Sequence, residues 1–502
     1  MKRIISLILA FVLLAFVLVS CDKGSSKSNN LINDLHNSLN NNNNNGTGNS
    51  DQISASSENF EVTYPMMDYF VNSYIKAWYS QYYYYILFGY IQFDPAKPLQ
   101  DQYTDSTNTQ TYYDYFVYGS KTTVELYLKY CEAAKADPYV DFNKLQKDAE
   151  EYADNTIKSL EEAAKSQGGS IGINFGLSKY ISDNFGKTVT VDVLKKCLII
   201  EHIGSSYYQI IYERAINSVT EAQEDKYFAD HLDYFVAAEC VSVTLPSSEA
   251  ERINLFAEAE NADVFYALAE EFGYINNINN RSLAYNIETD LGRFIFSGVK
   301  EQYGIETGKG EKNAELYDTF VEERSGNTVV YMVTKPASRK ETILRDVGHI
   351  LFKVDSSKET DPSVSYQTVE EAMAAAEHLL GEMQSELVNG KVSKERFEEF
   401  AVNTHDSSVF YQNVNKGDMV QEFEDWLFNA TVEGEIGLVQ TTYGLHIMYY
   451  GGETGEIAWR MKAHEEVAME DIMMVVDGFT YAVTFDDSVF EEIMKEVIIK
   501  NR

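Results

Sequence analysis

Between residues 340 and 453 the hydrophobic period changes from two to 3.6 and back to two, and that order of elements leaves few folds open. Leu344 to Val354 alternates as a strand, with Val347-Gly348-His349-Ile350-Leu351-Phe352-Lys353 at its centre. Thr368-Val369-Glu370-Glu371 then opens a helix as a capping box, and Val369, Met373, Ala376, Leu380, Met383 and Leu387 give that helix one apolar stripe. Asn389-Gly390 stops it, and Ser393 caps a second helix carrying Phe397, Phe400 and Ala401. The turn Thr404-His405-Asp406 follows, then a short helix over Met419 to Phe428, a Glu433-Gly434-Glu435 turn, and two closing strands, 436–442 and 445–450. Strands at both ends with helices between them make this a segment of mixed strand and helix.

The N-terminus reads as an address. Lys2-Arg3 precede the apolar run Ile4 to Val19, which suits a signal peptide and is short for a stable membrane span. The run ends Leu18-Val19-Ser20-Cys21, a lipobox: an aliphatic residue, two small ones, then cysteine. Residues 1–20 are therefore expected to be cleaved and Cys21 to be acylated, which would anchor the chain on the extracytoplasmic face of the cell membrane. Residues 21–58 are rich in Ser and Asn, with Asn40 to Asn45 as a homopolymer. Such a segment cannot repay the entropy of ordering and reads as a disordered tether of roughly 30–35 Å reach.

The folded body begins near Asn59. Its spacing predicts a helix from Met66 to Ile86 that ends in the tyrosine run Tyr82 to Tyr85. Further helices are expected over Thr122 to Ala136, Phe142 to Lys165 (ahead of a glycine-rich break at Gly168, Gly169 and Gly172), Asp192 to Ala222, and Glu224 to Phe235. Residues 59–235 are thus expected to form a helical segment rich in Tyr and Phe, and four consecutive tyrosines cannot all face one core. From 236 to 338 the texture changes: a strand over Ala238 to Val243, a helix over Ser247 to Phe272 and a strand at Val329 to Val333 repeat the plan of the segment that follows. We read it as a candidate degenerate repeat. Residues 455–502, with a helix over Ala463 to Val475, a strand over Thr480 to Phe485 and a helix over Ser488 to Ile498, are expected to pack back on the helical segment.

Charge narrows the partners. The formal net charge of −37 argues against nucleic acid, whose binding rests on Lys and Arg neutralising phosphates. The cysteines other than Cys21 are Cys131, Cys197 and Cys240, an odd number without a C-x-x-C pair, so at least one free buried thiol is expected.

Five pieces in order carry a resemblance: V-G-H-I-L-F-K, F-E-E-F-A, T-H-D, K-G-D-M-V-Q-E-F-E-D-W-L-F and V-E-G-E-I-G-L-V-Q-T-T-Y-G-L-H-I-M. Together, over 339–454, they resemble a parvulin-type peptidyl-prolyl cis/trans isomerase. With the lipobox and flanking helices, the chain is similar to the PrsA/SurA-like extracytoplasmic foldases. The resemblance implies an α+β protein: a parvulin domain inserted into a helical chaperone module made of the N-terminal segment and the C-terminal tail, with 236–338 as a second, degenerate parvulin-like domain. It implies His349, Asp406, Thr441 and His446 as catalytic residues, and Met419, Phe423 and Tyr443 as residues that grip the proline. It implies unfolded or newly secreted polypeptides as substrates. No cofactor or metal is expected. The interval from Ser407 to Asp418 is shorter than the family's and holds only Gly417, and Val409, Phe410 or Val414 stands where a leucine would complete the proline pocket. The surface loop Asp355 to Asp361 lacks the basic cluster of phosphate-directed parvulins. Two rival readings are a non-catalytic holdase with a blunted site and a solute- or glycan-binding lipoprotein.

Overall fold

The computed structural model describes residues 51–171, 176–355, 365–406 and 408–499. The signal run, Cys21 and most of the tether lie outside them. The chain forms two compact units: one from the residues up to Ala215 together with those from Asp471 onward, the other from Ile216 to Glu470. Among the described residues no helix is long and apolar enough to cross a membrane.

The first unit is helical. A three-stranded antiparallel sheet of Ile53–Ser56, Glu61–Thr63 and Thr484–Phe485 ties its two chain ends together. The helix Tyr64–Leu87 starts with Pro65 in its first turn, where no backbone N–H is missed. It buries Met66, Met67, Phe70, Val71, Tyr74 and Trp78. Trp78 meets Phe93, Tyr112 and Phe116 at 5.1, 5.4 and 5.1 Å between ring centroids. Gly119 lets Tyr74 lie against the helix Tyr112–Ala136, since a Cβ there would stand 2.2 Å from the tyrosine ring. Beyond Trp78 burial ends, and Tyr84, Tyr85, Leu87, Phe88 and Tyr90 are exposed. The helix Ser488–Ile499 packs on Tyr64–Leu87.

The second unit holds two modules built alike. In the first, β1 (Val236–Pro246) leads through helices α1 (Ala250–Ala257) and α2 (Ala262–Glu271) and a 3₁₀ turn, Ile275–Asn277, to β2 (Ile278–Ala284). Helix α3 (Asp290–Phe296) then precedes the hairpin of β3 (Thr319–Arg324) and β4 (Asn327–Arg339). In the second, β5 (Ile343–Lys353) leads through α4 (Val369–Ser385), α5 (Lys394–Phe400) and the 3₁₀ turn Ala401–Asn403 to β6 (Phe410–Val414). Helix α6 (Gln421–Asn429) precedes the hairpin of β7 (Ile436–Thr441) and β8 (Gly444–Ile457). The strand orders, β2-β1-β4-β3 and β6-β5-β8-β7, are the same, and every pairing is antiparallel. One face of each sheet packs on the first two helices: Val243, Leu245, Val330 and Met332 on Phe256 and Phe265, and Ile350, Phe352, Ile447 and Tyr449 on Ala376 and Phe397. Helix α7 (Ala458–Asp477) follows β8.

Several expectations change. The helix over Ser247 to Phe272 is two helices, because Asn261 caps α2 by accepting from the Val264 N–H. The helix Phe142–Ile171 runs past its expected end at Lys165 and through Gly168 and Gly169, while Gly172 lies outside the described residues. The strand near 480 shrinks to Thr484–Phe485. Strands β2, β3 and β6 have no counterpart among the elements expected from sequence. Cys131, Cys197 and Cys240 are all buried and free. Burial pushes the Cys240 thiol up to about 11 and the other two higher still.

Candidate active site

Strands β5 and β8 lie side by side at the centre of their sheet. Their register sets His349 opposite Met448 and His446 opposite Leu351, so the two histidines are diagonal neighbours on one face. Both are buried. Their rings stack at 5.2 Å and 21°, with Nδ1 to Nδ1 at 2.9 Å.

The proton positions follow by elimination. The Ser408 carbonyl, 3.1 Å from His349 Nε2, can only accept, so Nε2 carries the proton and His349 Nδ1 must accept. His446 Nδ1–H therefore donates to it, which leaves His446 Nε2 as an acceptor for the Thr441 hydroxyl at 2.8 Å. Thr441 Oγ1 in turn accepts the Tyr443 N–H at 3.1 Å. This assignment is the one for two neutral imidazoles, and burial keeps them neutral. It lowers His349, and it takes His446 down to about 4, with the neighbouring His349 adding to the effect.

The loop Thr404-His405-Asp406 is pinned where β6 no longer covers β5. Leu351 N–H donates to Thr404 Oγ1 at 3.0 Å, His405 N–H donates to the Leu351 carbonyl at 2.9 Å, and Lys353 N–H donates to His405 Nδ1 at 3.1 Å. This docking brings Asp406 Oδ2 to 3.4 Å from His349 Nε2, a charge contact longer than a good hydrogen bond. His405, which sequence reasoning treats as a bare turn residue, thus holds the loop in place.

Phe423, from α6, sits edge-on to both imidazoles, at 5.6 Å and 77° from His349 and at 5.7 Å and 89° from His446. It is only 3% exposed, so it supports the cup from beneath. Met419, half-buried, lies just before α6, and its N–H donates to Glu424 Oε1 at 3.0 Å. Tyr443, 60% exposed, stands on the rim at the β7–β8 turn. Tyr411 was missed. It lies on β6, 5.4 Å from the His349 ring, and packs with Val414 on the site face, whereas Val409 and Phe410 pack on the opposite face. Its segment, Phe410-Tyr411-Gln412-Asn413-Val414, is an edge strand without apolar–polar alternation, so the sequence carries no period-two signal there. Gly437 completes the support, because a Cβ there would stand 2.2 Å from Trp426 Nε1.

Residues 349–451 match the family of PPIC-type peptidyl-prolyl isomerase (rotamase) domains. The chain carries a parvulin-type isomerase domain. A crystal structure of the foldase protein PrsA from Lactococcus lactis aligns over 67% of this chain and 87% of its own, at 11% identity and a TM-score of 0.18. One of the peptidylprolyl isomerase PrsA from Bacillus cereus aligns over 58% and 80%, at 14% identity and a TM-score of 0.15. No curated protein matches the chain. The assignment rests on the domain match.

Rotation about an X–Pro bond breaks no covalent bond. Its barrier of roughly 18–20 kcal/mol is the amide's partial double-bond character. A site needs only to hold the ring and disfavour the charge-separated planar amide relative to the twisted one.

Proposed function

We propose that this chain is a lipid-anchored extracytoplasmic foldase that isomerises X–Pro bonds in newly secreted polypeptides and holds them on its helical unit. The observation that carries the reading is the locked pair of neutral imidazoles backed by Phe423. In this reading His349 and His446 form an uncharged floor. The Ser408 carbonyl and Thr441 fix its hydrogen-bond direction, Asp406 adds a charge contact to His349, and Met419 and Tyr443 grip the pyrrolidine ring over a cup that Phe423 supports. A neutral floor offers no charge to stabilise the polar planar amide, and the apolar wall excludes water that would solvate it. Acylation of Cys21 would supply the anchor, and the exposed aromatics from Tyr84 to Tyr90 offer an extended polypeptide adaptable apolar contact. Residues 236–338 would be a degenerate copy of the isomerase fold, as the shared strand order suggests.

A protease-coupled assay on a proline peptide tests the enzyme reading. Wild type should accelerate isomerisation, and His349→Ala and Asp406→Ala should slow it. A wild type no faster than buffer would leave the holdase, a reading that the burial of Phe423 favours. Suppressed aggregation of a proline-free client by that same wild type would support it. Globomycin-sensitive processing and palmitate labelling, both lost in Cys21→Ser, test the anchor.

A further inference from the structure

The first module runs directly into the second at residues 340–342, and a cavity of about 510 Å³ opens beside this junction. Five cations line it: Lys335, Arg339, Lys340, Arg345 and Lys416. In a chain with a net charge of −37 this is an unusual concentration of positive charge. Three of the five are answered by carboxylates that share the lining. Lys335 meets Glu239 at 3.3 Å, Arg339 meets Glu341 at 2.9 Å, and Arg345 meets Glu453 at 3.0 Å. Lys340 and Lys416 have no carboxylate partner among the described residues, and Lys416 lies 5.2 Å over the ring of Phe428. Arg339 and Arg345 are held in place. The first stacks on Trp459 at 3.9 Å, and the second donates to the carbonyls of Leu427 and Ala430 at 2.8 and 3.0 Å.

Two elements join this cavity to the isomerase site. Helix α6 presents Phe423 to the imidazoles and Phe428 to the cavity, about 7–8 Å apart along its axis. The loop before it carries Lys416 on the cavity side and Met419 on the site side. Both ends are tied to Glu424 Oε1, which accepts the N–H groups of Gly417 and Met419 at 2.5 and 3.0 Å. A polypeptide with its proline at Met419, above Phe423, would reach the cavity about two to four extended residues away.

We infer that the cavity is a subsite for acidic side chains of the client, selecting proline segments flanked by Asp or Glu. The inference rests on the isomerase reading and adds a sequence preference to it. It also runs against the bland expectation, because the net charge alone would favour basic peptides.

The test uses the full chain and fluorescein-labelled Ala-Pro peptides with glutamate, neutral or lysine flanks, read by anisotropy and by isomerisation. The glutamate peptide should bind tightest and show the highest kcat/KM, about fivefold over neutral at low salt and less as salt rises. The double reversal Lys340→Glu with Lys416→Glu, both on exposed side chains, should collapse the ratio of glutamate to lysine peptide. Equal binding of the glutamate and lysine peptides, or a ratio that survives the reversal, overturns the subsite. If the peptides turn over without preference, the subsite falls and the isomerase stands. If a lysine-dependent acidic preference appears in anisotropy with no turnover, the subsite stands and the isomerase reading falls.

Discussion

The two modules of the second unit share strand order and central register yet differ at almost every position of the site face. Counting from the two-residue β3–β4 and β7–β8 turns, Val329 occupies the place of His446, Arg324 that of Thr441 and Tyr331 that of Met448. Across the central pair, Ser242 stands opposite Tyr331 as His349 stands opposite Met448, so Ser242 takes the place of His349. Where the second module has an uncharged imidazole pair, the first has Tyr331 donating to Glu322 and accepting from Arg324, both at 3.0 Å. The opposite faces agree: Val243 and Val330 match Ile350 and Ile447, all buried on helices. The faces that pack on helices share their chemistry, and the opposite faces do not.

The largest effect should come from the histidines. His349→Ala leaves His446 Nδ1–H and the Ser408 carbonyl without a partner, and losing 1–3 kcal/mol of positioned interaction should cut kcat/KM by about 10- to 100-fold. Ser242→Ala, the equivalent change in the first module, should leave it unchanged in the same assay. Equal losses would mean that the first module takes part in the chemistry.

Acid should come next. His446 titrates near 4 when folded and near 6.5 when unfolded, so below 6.5 the unfolded chain binds more protons and stability falls. About 3 kcal/mol is at stake between pH 6.5 and pH 4, with His349 shifting in the same direction. Urea midpoints followed across that window should drop for wild type and flatten for His446→Val, which installs the first module's residue.

A smaller effect is expected at Gly437, whose counterpart is Phe320. Because Trp426 fills the space, Gly437→Ala should cost about 1–3 kcal/mol by overpacking, measured by urea unfolding. The smallest should be Tyr331→Phe, which removes two part-buried hydrogen bonds of a buried tyrosine's hydroxyl and should cost about 1 kcal/mol with isomerisation intact.

How much was legible follows the same division. Strands β1, β4, β5 and β8 are central and buried, so their apolar residues announce them. Strands β2, β3 and β6 are edges, and Ile278–Ala284, with Asn279, Asn280 and Arg281 exposed, carries no hydrophobic period to read. The histidines and Thr441 were legible because motif order places them on paired strands. Tyr411 was not, because its contact depends on β6 joining the sheet. Met419 was expected inside a helix and lies before it, since Val420 is extended and α6 begins only at Gln421. The lysines of the cavity were invisible, because Lys340 and Lys416 meet only through the fold.

The buried thiols offer an unplanned set of gauges. Protonated and shielded, they should ignore alkylating reagents until the protein around them opens, so each labelling rate clocks an opening event. Cys131 and Cys197 time the helical unit and Cys240 the first module, while the isomerase domain, which has no cysteine, stays silent. One native chain can thus report which of its parts gives way first.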